Sequence, residues 1–371
     1  MIHNLFKGFE VELFTGSWNS HIGVAEAIEK TFSNFVKEPD NRNVEYITKP
    51  EKDYKVIYEK LLTPRKELRE WLKKKYLTII PSSTLCFKHN SQFQRSDIDN
   101  AYHQFIQNNY GISIATSSVH INIGIDDLDK LFAAIRLARC EAALYLSLSA
   151  SSPFLNNKIT NNHSQRWIQF PKTPSKVPFF LNHESYINWI EMNIANGNMH
   201  NIRHFWSSIR PNGPERPLVL DRLELRICDF VSDINLLLGI TAMLELRILN
   251  LFENIKTLDP LTSSIFSMDE LSNICDQNEI KAAKNSLNAE LIHWKDGQTI
   301  ICREWIKILL KDLSLTADKF NMDHLLIPIY KVLEEGNQAM KWIKQHEKGT
   351  SIEEIMKCAI EEMINNEGVS I

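Results

Sequence analysis

Three stretches of this chain alternate apolar with polar or charged side chains in steps of two. That pattern commits them to strands that bury one face and load the other with chemistry. In the run from Gly8 to Phe14, Phe9, Val11 and Leu13 share one side, and Glu10 and Glu12 the other. From Ser118 to Asp126, Val119, Ile121, Ile123 and Ile125 oppose Ser118, His120, Asn122 and Asp126. From Arg222 to Cys228, Leu223, Leu225 and Ile227 oppose Arg222, Glu224 and Arg226, and Cys228 continues the charged side. A weaker fourth candidate, Asn43 to Thr48, contributes Glu45. An antiparallel sheet with its polar side in water accounts for any one of these strands. It accounts poorly for the set. Solvent faces mix Lys, Thr and Glu, whereas here one strand offers paired carboxylates, another His with Asn, and a third Arg-x-Glu-x-Arg.

Carboxylates at i and i+2 on a strand lie about 7 Å apart, close enough to bridge a cation. If the polar sides line one cleft, Glu10, Glu12, Glu45, His120 and Glu224 form an oxygen-rich ligand set with one imidazole and no thiolate. Such a set selects Mg2+ or Mn2+ over zinc or copper. Arg222 and Arg226 add fixed positive charge in the fork geometry that suits phosphate. Divalent ions held by carboxylates beside arginines are what phosphoryl transfer from a nucleotide requires. Neither a Walker A sequence nor a GxGxxG after a strand occurs, so P-loop and Rossmann readings lack their motif. Structural alternatives stand beside these assignments. His120 could be an ordinary hydrogen-bonded histidine, Arg222 a cross-strand partner of Glu12 or Glu45, and Trp167 and Trp206 packing residues. Ser149, Ser151 and Ser152 run into Pro153 without a nucleophile elbow.

With 43% hydrophobic and 24% charged residues over 371 positions, the chain has the balance of a globular protein, not a disordered one. A net charge of −4 argues against a nucleic-acid partner. The six cysteines form no CxxC pair and fit reduced thiols. The first residues lack the features of a signal peptide. The most apolar stretch, Ile234 to Phe252, includes Asn235, Glu245 and Arg247, which points to a buried amphipathic helix rather than a membrane partner. A cytoplasmic protein is expected, with its oligomeric state open between monomer and homo-oligomer.

The pattern predicts helices over 53–76, 97–110, 127–149, 184–199 and 233–257, and strands over 116–126 and 218–229. A proline-rich loop or flap is expected over 151–180, and an Asp-Gly hairpin at 291–301. The expected organisation is a single domain over 1–371, with a sheet-forming catalytic core at 1–258 and a mostly helical part at 259–371.

These motifs together resemble the type-2 glutamate–cysteine ligase family, within the carboxylate–amine ligase and glutamine synthetase-like group, and are most similar to its cyanobacterial branch. Gly8 to Glu12 resembles the family's G-x-E-x-E opening strand, and Val44 to Thr48 its V-E-x-x-T strand. Ser118 to Gly124 resembles its His-containing strand, and Leu146 to Phe154 its L-S-A-x-S-P-F segment. Trp206 with Ile209-Arg210-Pro211, then Leu223-Glu224-Leu225-Arg226 and Asp229, resembles its W-x-x-I-R-P and L-E-x-R-x-x-D pair. Two departures stand out. Ser118 occupies the place of a second His, and in the flap, where relatives often have T-G-Y-A-S-Y-R, only Thr160, Ser164 and Arg166 persist.

The resemblance implies an α+β fold: a curved antiparallel sheet forming a funnel, with helices on its outer face. It implies ATP-dependent joining of the γ-carboxyl of L-glutamate to the amine of L-cysteine, the first step of glutathione biosynthesis. Glu10, Glu12, Glu45, His120 and Glu224 would hold the Mg2+ ions. Arg226 and Arg210 would act in catalysis, and Arg222, Arg166 and Asn122 would bind substrate or ATP. A ligase of the same fold with another amine acceptor, or a metal-dependent amide hydrolase, is the alternative.

Overall fold

The computed structural model describes residues 4–88, 93–110 and 114–368. Ten strands in the first 225 residues carry the architecture: β1 (Lys7–Ser17), β2 (Ser20–His21), β3 (Phe35–Lys37), β4 (Asn43–Ile47), β5 (Thr78–Ile80), β6 (Val119–Gly124), β7 (Phe154–Leu155), β8 (Lys158–Ile159), β9 (Ile209–Asn212) and β10 (Arg222–Leu225). The main sheet runs β3-β4-β1-β6-β10-β9, with β2 and β5 also paired to β1; β7 and β8 make a separate hairpin. Every pairing is antiparallel and the sheet does not close, so the fold is α+β.

The period-two alternation decides which side is buried. Phe9, Val11, Leu13, Val119, Ile121, Ile123, Leu223 and Leu225 are all 1% exposed or less. They share one continuous core with apolar residues of the helices Tyr54–Lys73, Leu128–Cys140 and Ile234–Glu253. The core extends through residues of the helices Met268–Asn285 and Cys302–Phe320 to Met363 of the helix Ile352–Asn366.

Helix Ile234–Glu253 is long and apolar enough to cross a membrane, but most of it is buried inside the protein. Its two buried charges, Glu245 and Arg247, are both matched. Glu245 accepts from Lys7 Nζ at 2.9 Å, Tyr54 Oη at 2.7 Å and the Leu5 amide at 2.6 Å. Arg247 donates to Glu141, whose carboxylate also receives Trp294 Nε1. Burial depresses the Lys7 ammonium below the ordinary lysine range despite the attraction of Glu245.

Several expected elements differ in extent. The helix expected over 127–149 breaks at Glu141, which caps Leu128–Cys140 and precedes Ala142–Ser149. The strand expected over 218–229 shortens to β10, because beyond Leu225 the chain pairs irregularly, Arg226 N with Ser208 O and Ser118 with Asp229. The expected loop over 151–180 contains the β7–β8 hairpin and a short helix, Gln165–Gln169, capped by Ser164. The Asp-Gly hairpin forms between Glu290–Ile292 and Thr299–Ile301.

Replacing Glu245 by Leu would strand a buried ammonium on β1. A loss of about 3–5 kcal/mol of unfolding free energy is expected in a urea melt, and a loss within error would refute this account of the pair.

Candidate active site

Register brings the polar side chains into one row. Glu12 on β1 faces Glu45 on β4, Glu10 faces His120 on β6, and Glu224 on β10 lies between Asn122 on β6 and Arg210 on β9. Of these, Glu10, Glu12, Glu45, His120 and Arg210 line a cleft of about 700 Å3 together with Glu38, Trp206, Arg216, Arg222 and Arg226, while Glu224 is fully buried and Asn122 lines a neighbouring hollow. Gly213 lies in the same wall under β9. A Cβ there would sit 2.1 Å from the Val219 carbonyl oxygen, so only glycine permits that close approach.

Glu10, His120 and Glu224 offer ligand atoms that all lie within 4.8 Å of one another. His120 Nδ1 is 2.9 Å from Glu10 Oε2 and 3.7 Å from Glu224 Oε1. Its Nε2 is 3.1 Å from Ser118 Oγ, which donates to Glu12 Oε2 at 2.9 Å. The hydroxyl that replaces a histidine in the family pattern thus ties His120 to the second carboxylate of β1.

Charge divides the cleft. Burial alone would raise every carboxyl here. At Glu224 that effect is overcome by Arg210 and Arg226, which hold it well below the usual carboxylate range. Glu10 also ends below its usual value, because His120 and Arg226 outweigh burial and the repulsion of Glu224. At the other side burial and mutual repulsion win. Glu12 is pushed up by burial and by Glu38, and Glu45 well up by burial and by Glu38, with Glu10 and Glu12 adding to it. Glu38 is itself pushed up by burial. A group of half-buried carboxyls that drive each other toward protonation is matched to a divalent cation, which would replace the protons.

Glu38 was missing from the ligand set read from sequence. It follows the three-residue strand β3, too short to alternate visibly, and the turn over Pro39, Asp40 and Asn41 folds it back beside Glu45. That turn-forming run was the available signal.

The arginines divide by role. Arg226 contacts Glu224 and lies 3.4 Å from His120 Nδ1, and its Nε is buried without a partner among the described residues. Arg210 forms a fork on Glu224, at 2.7 and 3.1 Å, and also binds the Phe205 carbonyl. Burial and the neighbouring Arg226 lower its guanidinium to about 10. Its geometry is that of a positioning residue for Glu224, with Asn212 as a second donor at 2.7 Å. Arg222 donates to Asn122 and Asp221 at the rim, and Asn122 donates to Glu10. Arg166 corrects an expectation. It is 1% exposed and donates to the backbone carbonyls of Arg226 and Ile227, so it supports the strand exit from behind. Cys228 corrects another: it leaves the charged side, packs in the core, and burial pushes its thiol up to about 12. Trp167 stacks on Phe170, while Trp206, expected as a packing residue, lines the cleft.

The flap is anchored. Asp229 accepts from Ser152 Oγ and Ser164 Oγ, both at 2.7 Å, and from the Ser151 amide at 2.9 Å.

The family model described as glutamate–cysteine ligase family 2 matches residues 6–365. A provisionally named glutamate–cysteine ligase 2 from Solibacter usitatus is 24% identical over 246 residues, 66% of this chain and 61% of that protein. One of the same provisional name from Gloeobacter violaceus is 26% identical over 239 residues, 63% of this chain and 60% of that protein. The matched stretch thus spans about three fifths of these relatives' length. Among solved structures, glutamate–cysteine ligase from Francisella tularensis in complex with AMP superposes with a TM-score of 0.77 at 14% identity, covering 99% of this chain and 89% of that one. A bifunctional glutathione synthetase from Pasteurella multocida gives 0.74 at 13% identity, covering 98% of this chain and 53% of that one. At these identities the likeness is one of fold.

Carboxyls with raised folded-state values keep protons that the unfolded chain has lost, so the metal-free protein loses stability as pH rises above the ordinary carboxylate range. Mg2+ should return it. Thermal melts with and without Mg2+ at about pH 5 and about pH 7.5 should show a metal-dependent gain confined to the higher pH, and an equal gain at both would count against this cluster.

Proposed function

Since the chain belongs to glutamate–cysteine ligase family 2, we propose that its cleft joins a carboxylate to an amine at the expense of ATP, in the cytoplasm, with L-glutamate as γ-carboxyl donor and L-cysteine or another amine as acceptor. The observation that supports this reading is the row of carboxylates and one imidazole running into Arg226 within one cleft. Glu10, Glu12, Glu38, Glu45, His120 and Glu224 would hold Mg2+, which when bound neutralises the polyphosphate.

A carboxylate is a poor electrophile and must be activated before an amine can displace anything from it. A γ-carboxylate oxygen attacks the γ-phosphorus of ATP, the bond to the ADP oxygen breaks, and an acyl phosphate forms. The amine nitrogen then attacks the acyl carbon, the bond to phosphate breaks, the amine loses a proton, and orthophosphate leaves. Arg226 supplies the fixed charge that meets the transferring phosphoryl group. Arg210 and Asn212 fix the Glu224 carboxylate, and Arg166 fixes the backbone that carries Arg226. A different acceptor is the second reading. It is favoured by the altered flap over 160–166 and by an apolar-walled hollow that opens beside Arg226.

Purified protein with ATP, Mg2+, glutamate and a panel of amines should release ADP and a γ-glutamyl amide in equal amounts, identified by mass. Amide hydrolysis with metal alone and no nucleotide would sink the ligase reading. Arg226→Ala should lower kcat by about 10^2–10^3 and change the KM for ATP little; a variant as active as the parent would remove Arg226 from this role.

A further inference from the structure

We propose that the acceptor is a primary amine whose side chain is apolar and larger than that of cysteine. The inference rests on the ligase reading and concerns only which amine the activated carboxyl meets.

Two hollows adjoin the cleft and share no lining residue with each other. One, of about 390 Å3, shares Glu10, Ile47 and Arg222 with it and reaches Gly8, Asn122 and Gly124. The other, of about 190 Å3, shares Glu12, Glu38, Trp206 and Arg226 with it. A nucleoside is the bulkiest group the reaction brings in. With its phosphates at Glu10, His120 and Glu224, it has the larger hollow beside it, the one that Glu10 lines. The smaller hollow then opens where Arg226 meets the activated group, the position the attacking amine must reach.

The walls of the smaller hollow specify its occupant. Phe93, Ile106, Ile114, Phe170 and Trp206 present carbon, Arg95, Gln107 and Thr116 add polar groups, and carboxylates Glu12 and Glu38 stand where it joins the cleft. Asp40, also in the lining, is spent on a two-pronged bond from Arg42, at 2.7 and 2.6 Å. Two polar atoms there are buried with no partner among the described residues: Asn43 Oδ1 and Arg226 Nε. Asn43 is 3% exposed and gives its Nδ2 to the Thr116 carbonyl.

Size separates cysteine from larger amines. One water needs about 10–15 Å3 of such space, so the hollow holds many. The two heavy atoms of a cysteine side chain would leave most of that water against aromatic and aliphatic carbon. A branched, thioether or aryl side chain displaces it, and each methylene placed in an apolar pocket is worth about 10-fold or more in kcat/KM.

The test is a ranking. Wild-type protein with Mg2+–ATP and L-glutamate is given L-alanine, L-cysteine, L-methionine, L-leucine and L-phenylalanine, with ADP release and product mass recorded. At least one of the three largest should exceed cysteine by about tenfold in kcat/KM, with alanine lowest. Ile114→Trp, which fills the hollow, should lower the ratio of leucine to alanine by about tenfold or more. Cysteine ranked above all larger amines, or a ratio unmoved by Ile114→Trp, overturns the inference and leaves the ligase reading in place. No ADP release with any amine overturns both.

Discussion

Several carboxylates on one face of one sheet, largely out of water, repel each other, and the rest of the structure is arranged around that repulsion. Two unit charges 4 Å apart cost about 4 kcal/mol at an effective dielectric of 20. The protein meets this cost differently at the two sides. Glu224 and Glu10 are neutralised by Arg210, Arg226 and His120 and remain ionised. Glu12, Glu38 and Glu45 have less compensation and favour the proton. The asymmetry gives the cleft one side that is charged before any ligand arrives and another whose charge awaits a cation.

Rigidity behind the cleft keeps this arrangement from relaxing. Lys7, at the start of β1, is fastened to Glu245 in the central helix. Arg166 grips the carbonyls of Arg226 and Ile227 from the far side of the strand. Such buried polar contacts add little net stability, but they define one geometry, because leaving any of these groups unpaired is costly.

The alternation of strands β1, β4, β6 and β10 made the sheet and most of the acidic row readable from sequence, since a period of two fixes which side chains share a face. Other features were beyond it. Glu38 lies past a strand too short to carry a pattern. Arg166 looked like a substrate ligand and Arg210 like a catalytic residue because nothing in a sequence says which partners a guanidinium finds; burial and partners decided that. Cys228 followed the alternation on paper, but β10 ends three residues earlier and the face it predicted no longer exists there. The helix break at Glu141 follows no breaker residue, and that carboxylate is bound by Arg247, 106 positions away. These failures share one cause: long-range pairing overrides the local pattern.

The flap keeps Thr160, Ser164 and Arg166 from the family pattern, and each of these side chains is hydrogen-bonded outside its own short stretch: Thr160 to the Pro153 carbonyl, Ser164 to Asp229, Arg166 to the carbonyls after β10. Of the altered positions, Asn162 and Gln165 bond to each other, and His163 turns to Ser286. The segment is bolted at a few points, and of the altered side chains only His163 reaches outside it. A lineage can therefore rewrite the intervening residues without refolding the protein around them, which makes this loop a natural place for proteins of one architecture to diverge.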